Sequence, residues 1–156
     1  RGRWPAASDV YKRQLYNGAN ITVVILDNRI TAMTGHQPNP TTGLTACGVA
    51  TPAVSIEAVC RASGATFVET VSPNDLVTFI DVLKSARSLK GVKVIIARQP
   101  CVISEKRAKV ISGHYTVHQD LCIGCKACIK FGCPAVALTG GLASITELCS
   151  GCGVCV

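Results

Sequence analysis

Aromatic side chains are scarce in this 156-residue chain, with one Trp, three Tyr and three Phe scattered from Trp4 to Phe131. They offer no platform on which bases would stack. Acidic residues are also few, but the net charge of +7 does not point to nucleic acid, because Arg1, Arg3, Lys12 and Arg13 against Asp9 supply +3 of it within the first fourteen residues. No nucleic-acid partner is expected. No apolar run reaches the roughly 18 residues of a membrane span, and the pattern of basic start, apolar stretch and small-residue cleavage site is missing. No membrane partner is expected either. Only 16% of the residues are charged and 48% are hydrophobic, a balance too apolar for intrinsic disorder.

What the chain does have is cysteine, unevenly placed. Seven of its ten cysteines (122, 125, 128, 133, 149, 152 and 155) fall in the last 35 residues. A small secreted disulfide scaffold spreads its cysteines through a chain too short for a core, whereas residues 21–98 here are rich in Val, Ile, Leu and Ala. A reducing, cytoplasmic setting fits better.

Residues 1–14 share no periodicity or composition with the rest, and are expected to be a non-native or disordered leader. The run ITVVIL (21–26) is β-branched and apolar throughout, as in a strand buried on both faces of a parallel sheet. Residues 36–53 hold three Pro and two Gly with no sustained period and are expected to form a loop. Ser55 is placed to cap a helix that turns Ile56, Val59 and Cys60 inward and ends at Gly64. A strand over 65–71 follows. Ser72-Pro73 predicts the next helix start, with Leu76, Phe79, Ile80 and Leu83 as its buried stripe. Lys84, Arg87 and Lys90 gather at its negative end, and Gly91 closes it. VKVIIA (92–97) reads as a third buried strand. This order predicts an open, mostly parallel α/β sheet with ligand chemistry beyond the carboxyl ends of its strands, where Asp27-Asn28 lies. Residues 99–119 form a polar connector ending in the strand-like HYTVH, with a domain boundary near Ser112-Gly113. The expected domains are therefore 15–112 and 113–156.

The cysteines run Cys122-x-x-Cys125-x-x-Cys128-x-x-x-x-Cys133-Pro134 and Cys149-x-x-Cys152-x-x-Cys155. A thiolate at every third residue of a tight loop lets three sulfurs converge on three corners of an iron–sulfur cubane. Structural zinc usually takes two ligands from each of two knuckles, and His114 and His118 lie upstream of the triplets. A thioredoxin-like site needs a single C-x-x-C. Iron–sulfur is the favoured reading, with zinc, a disulfide and a redox dithiol as its alternatives. Gly124, Gly132, Gly151 and Gly153 suit backbone that passes close to a cluster, or simply turns. Cys60 reads as core, while Cys47 and Cys101 carry no assignment. The spacing is similar to that of two-cluster ferredoxins, in which the Cys-Pro cysteine of one motif completes the cluster of the other. Carried over, Cys149, Cys152 and Cys155 with Cys133 hold one [4Fe–4S] cluster. Cys122, Cys125 and Cys128 hold the second, whose fourth ligand is expected just past Val156. The four-residue gap before Cys133 departs from the commonest spacing of three.

In VILDNRITAMTGHQ (24–37), Asn28 offers a neutral hard oxygen at a strand end, followed by the carbonyls of Arg29 and Ile30. Such donors suit Mg²⁺ bridged to phosphates. Asp-Asn after a strand is equally a plain turn.

The stretch LYNGANITVVILDNRITAMTGHQPNP, together with the two cysteine triplets, resembles the indolepyruvate:ferredoxin oxidoreductase alpha-subunit family over Leu15 to Val156. The resemblance implies an open, mostly parallel α/β thiamine diphosphate-binding domain followed by a small α+β two-cluster ferredoxin-like domain. It implies Asn28 as a side-chain Mg²⁺ ligand and Ile30 as a carbonyl ligand. Thr31, Met33, Thr34 and Gly35 would line the diphosphate and thiazolium, with His36 and Gln37 near the substrate. No catalytic acid or base is identified. The implied reaction is oxidative decarboxylation of an arylpyruvate to its arylacetyl-CoA thioester and CO₂, using coenzyme A. The implied partners are a beta subunit and an external ferredoxin. Because the Gly-Asp-Gly half of the thiamine motif is expected upstream of Leu15, the chain is expected to be a fragment that does not bind the cofactor alone. The alternatives are another 2-oxoacid:ferredoxin oxidoreductase, or a ferredoxin-type electron-transfer protein with an unrelated α/β domain.

Overall fold

We describe residues 13–108 and 113–155 of a computed structural model of the chain. Most of the expected leader lies outside these residues. So does Ser112 of the expected boundary. The chain divides into two compact units, residues 1–101 and 102–156.

The first unit is a parallel sheet with a helix against each face. Its elements are β1 (Ile21–Asp27), α1 (Ile56–Ala62), β2 (Phe67–Val71), α2 (Leu76–Ser88) and β3 (Val92–Arg98). The strands lie in the order β1-β3-β2, with Ile21 opposite Val92, Asp27 opposite Arg98, and Phe67 opposite Lys93. Flanked on both edges and covered on both faces, β3 is buried from Val92 to Ala97. On one face Val94 and Ile96 pack with Val68 and with Cys60 of α1, and on the other Ile95 packs with Val71 and Ala86 of α2. Lys93 is buried within this strand because its ammonium donates to Asn20 Oδ1 at 2.5 Å.

Ser55 caps α1 as expected, accepting from the Ala58 N–H at 3.0 Å, and Gly64 follows the helix with φ +95°. Three other expectations need correction. Among the described residues β1 lies at the edge of the sheet and is not buried on both faces, with Leu26 on its second face 83% exposed. The second helix begins at Leu76, not at Pro73. Ser72 and Pro73 enter a turn closed by the Asp75 N–H on the Ser72 carbonyl, and Asp75 caps the helix by accepting from the Thr78 N–H at 3.1 Å. The face packed on the sheet carries Phe79, Val82 and Ala86, leaving Leu76, Ile80 and Leu83 exposed. In α1, likewise, Ile56 and Cys60 face the core but Val59 does not.

The second unit holds α3 (Val102–Arg107), α4 (Ala127–Lys130) and an antiparallel hairpin of β4 (Val136–Thr139) and β5 (Leu142–Ile145). Gly140 and Gly141 turn the hairpin with φ of +60° and +85°, the left-handed pair that a two-residue turn requires. The connector 99–119 thus contains a helix, and HYTVH pairs with no strand among the described residues. Its predicted strand character rested on local β-propensity, which without a partner strand does not make a sheet.

Candidate cofactor site and cysteine loops

The carboxyl ends of the three parallel strands are joined by a polar network that starts from Asp27. Its side chain is 4% exposed, and Oδ2 lies 2.7 Å from Arg98 Nε while Oδ1 accepts from the Arg29 N–H at 3.0 Å. The other arm of the guanidinium reaches Glu57 Oε1 at 2.8 Å. Glu57 also accepts from Thr70 Oγ1 of β2 at 2.8 Å and from the Ser55 hydroxyl at 3.1 Å. The Arg98 bond, followed by the residue's own backbone N–H, lowers the Glu57 carboxyl from 4.5 to about 2. Burial works against the Arg98 charge, but the bonds to Asp27 and Glu57 outweigh it and raise its pKa.

Asn28 follows, exposed, with its Oδ1 accepting from the Ile30 N–H at 3.2 Å. Beyond Ile30 the chain makes a tight loop, closed by reciprocal backbone bonds between Thr31 and Gln37. Thr34 Oγ1 donates to Gln37 Oε1 at 2.8 Å, and the Gln37 amide donates back to the Thr34 carbonyl at 2.6 Å. Gly35 has φ +121°, and a Cβ there would stand 3.2 Å from Gln37 Nε2. Thr31, Met33, Thr34 and Gly35 all face solvent, with Met33 99% exposed. His36 takes the left-handed conformation at φ +61°, and its Nε2 is buried with no hydrogen-bond partner among the described residues. A hard oxygen at the strand end, exposed hydroxyls, a glycine in the loop and an orphaned imidazole nitrogen together fit a phosphorylated cofactor with its divalent cation. Sequence reasoning missed Arg98, which the parallel register sets opposite Asp27, and Glu57 and Thr70, which join the network through Arg98.

The two cysteine triplets have the same local backbone. Residues two and four places after the first cysteine are left-handed in both: Gly124 (φ +66°) and Lys126 (φ +61°) in one, Gly151 (φ +69°) and Gly153 (φ +76°) in the other. Each first cysteine accepts a backbone N–H on sulfur, Cys122 from Ala143 and Cys149 from Gly151, both at 3.4 Å. The bond from Ala143 and a second from Gly124 hold the Cys122 thiol below its ordinary pKa. Cys125, Cys152 and Cys155 are exposed, and Cys128, Cys133 and Cys149 are half-buried. Cys128 and Cys155, the third cysteines of the two triplets, line one largely apolar cavity of about 250 Å³ with Tyr115, Val117, Val136 and Ile145. Among the described residues, no three His, Cys, Asp or Glu side chains are gathered as they are around a bound ion. The donor chemistry nevertheless suits iron, since paired loops of thiolates that accept backbone N–H bonds are the ligation pattern of iron–sulfur clusters. Of the remaining cysteines, Cys60 is buried, and burial followed by the charge of Glu57 pushes its thiol up, as befits a core residue.

A parallel sheet that presents an asparagine and a polar loop at its strand ends defines the first unit as a cofactor-binding α/β domain. Residues 12–97 match the family described as thiamine pyrophosphate enzyme, C-terminal TPP binding domain, and the chain belongs to that family. It is 47% identical over 146 residues to the indolepyruvate oxidoreductase subunit IorA of Archaeoglobus fulgidus, which covers 90% of this chain and 23% of that protein. The IorA subunit of Thermococcus kodakarensis is 40% identical over 149 residues, with the same coverage of each chain. That of Methanothermobacter marburgensis is 38% identical over 144 residues, covering 91% of this chain and 23% of its own. The chain thus spans about a quarter of the length of these curated relatives, and the similarity continues past residue 97 into the cysteine-rich unit. No helix among the described residues is long and apolar enough to cross a membrane.

Proposed function

We propose that this chain carries one half of a thiamine diphosphate site and the electron outlet of an indolepyruvate:ferredoxin oxidoreductase. The observation that supports this is the joining, in one chain, of a thiamine pyrophosphate-binding strand end to two cysteine loops of matching backbone. Asn28 Oδ1 and the Ile30 carbonyl hold Mg²⁺, and Thr31, Met33, Thr34 and Gly35 line the diphosphate and thiazolium. His36 and Gln37 stand on the substrate side, where the orphaned His36 Nε2 finds a polar partner. Thiamine diphosphate, when bound, supplies the carbanion chemistry by which a 2-oxoacid loses CO₂. The residues of this chain bind and orient the cofactor and conduct charge away from it.

Cys149, Cys152 and Cys155 with Cys133 form one [4Fe–4S] ligand set, and Cys122, Cys125 and Cys128 belong to the second. Residues 15–112 serve cofactor binding and residues 113–156 serve electron transfer. The substrate is an arylpyruvate, with indolepyruvate suggested by the names of the relatives. Coenzyme A receives the arylacetyl group. A beta subunit completes the enzyme in the cytoplasm, and an external ferredoxin accepts the electrons.

The test is indolepyruvate-dependent reduction of ferredoxin by the complete gene product, expressed anaerobically with its beta subunit. The rate is expected to require thiamine diphosphate, Mg²⁺ and coenzyme A, and to fall at least about tenfold in Asn28→Ala, because a lost ligand weakens metal binding at least as much as a lost supporting contact. Preference for pyruvate over arylpyruvates would move the assignment to another 2-oxoacid:ferredoxin oxidoreductase. Ferredoxin reduction that ignores every 2-oxoacid would overturn it.

A further inference from the structure

We propose that Arg98 is a positioning residue for the divalent-cation site, setting through Asp27 and Arg29 the direction in which Asn28 presents its amide oxygen. The proposal rests on the reading of Asn28 as a cation ligand. Asp27, with its side chain 4% exposed, needs hydrogen-bond partners for both carboxylate oxygens. Arg98 Nε supplies one bond, and the Arg29 N–H supplies the other.

The second bond has a conformational consequence. Arg29 is a non-glycine residue at φ +60°, a backbone state that side chains disfavour and that local contacts must hold in place. Asp27 holds it by accepting its N–H, and Arg98 in turn fixes the rotamer of Asp27. Meanwhile the residues after β3 take up the neighbouring carbonyls: the Gln99 N–H donates to Asp27 O and the Cys101 N–H to Asn28 O, both at 3.1 Å. The main chain is therefore committed to the sheet side on both residues, and the Asn28 side chain is left exposed with its oxygen turned toward Ile30.

The far arm of Arg98 makes the clamp span three elements. Glu57 sits in the first turn of α1, beside its cap Ser55, and is tied to β2 through Thr70. The guanidinium thus links the end of β1 to the start of α1 and the end of β2, with one nitrogen on each carboxylate. A lysine carries all its donors on a single nitrogen and does not reproduce the planar fork that serves the two carboxylates from two nitrogens.

The experiment uses the complete gene product assembled as holoenzyme and follows binding as well as turnover. Titration of Mg²⁺ at fixed thiamine diphosphate, read by calorimetry or by the circular dichroism of the bound cofactor, gives the half-saturating concentration. In Arg98→Gln that concentration is expected to rise about tenfold, the usual effect of losing a contact that orients a metal ligand. Arg98→Lys is expected to fall between this variant and the parent, and Glu57→Gln, which slackens only the outer link, to rise about threefold. Turnover at saturating Mg²⁺ should recover most of its parental value. Parental Mg²⁺ affinity in Arg98→Gln alongside a large loss in Asn28→Ala overturns the positioning role and leaves the cation site standing. Parental affinity in Asn28→Ala as well removes the site itself. Should Arg98→Gln fail to fold, Arg98→Lys and Glu57→Gln decide: unchanged affinity in both overturns the proposal.

Discussion

The two units of this chain hold themselves together by different means. In the first, a central strand buried from Val92 to Ala97 gives two helices a continuous apolar surface, and the polar site is carried outside that core on exposed loops. In the second, Ala135 and Ala143 are the only fully buried hydrophobic residues among those described, while Leu121, Ile123, Phe131 and Leu148 face solvent. Two alanines remove too little apolar surface to offset the entropy of ordering about 50 residues. A unit of this size needs internal cross-links, which the proposed cluster ligation by its seven cysteines would supply. On the proposed ligation, the contrast separates a site that decorates a fold from a site that is part of what makes the fold.

The sharpest way to break this contrast is to remove the metal. Stripping iron from anaerobically prepared protein is expected to abolish the protection of residues 113–155 from hydrogen exchange while β1, β2 and β3 stay protected. A second unit that remains protected without metal would erase the distinction. Cys149→Ser is expected to delete one cluster's paramagnetic signal and largely spare the other, because the proposed ligand sets place the two triplets on different clusters.

The converse perturbation falls on the first unit. Ile95→Ala opens a cavity in the central strand and is expected to cost about 2–5 kcal/mol of that unit's stability with no change in iron content. Loss of iron in this variant would mean that the units share one core.

A milder test uses acid. The Glu57 carboxyl lies at about 2 when folded against an ordinary 4.5, so its contribution is complete above pH 4.5 and is lost as pH falls toward 2. Thermal melts of the first unit across that window are expected to be less steeply pH-dependent in Glu57→Gln than in the parent.

The smallest expected effect is a gain. Lys126 takes a left-handed conformation where the other triplet has Gly153, so Lys126→Gly should stabilise the holo second unit by about 1 kcal/mol. Denaturation of the iron-loaded protein would measure it.

How much was legible in the sequence divides along the same line. ITVVIL, VKVIIA and the Ser55 cap were readable because each depends on a few neighbouring residues. That β1 lies at an edge of the described sheet was not, because strand order and the cover on each face are set by tertiary packing, and in the order β1-β3-β2 Leu26 is 83% exposed. Pro73 and Asp75 are both good helix-start residues, and the turn from Ser72 to Asp75 decided between them. Asn28 was visible from its place at a strand end, whereas Arg98 and Glu57 became visible only once parallel pairing set Arg98 opposite Asp27. In the second unit the cysteine spacing carried nearly all the information. The hairpin carries a local signal, the two-glycine turn of Thr139-Gly-Gly-Leu142. The left-handed Lys126 had no sequence signature, since lysine is not a residue that favours that conformation.

The proposed function requires that the thiamine site and the cysteine loops serve one reaction. It is tested most directly by paramagnetic resonance of the iron-loaded holoenzyme, frozen after addition of indolepyruvate with no external ferredoxin present. A reduced [4Fe–4S] signal is expected to develop only when thiamine diphosphate and Mg²⁺ are both supplied, and Asn28→Ala is expected to suppress it. Zinc in place of iron, or clusters that the 2-oxoacid never reduces, would contradict it.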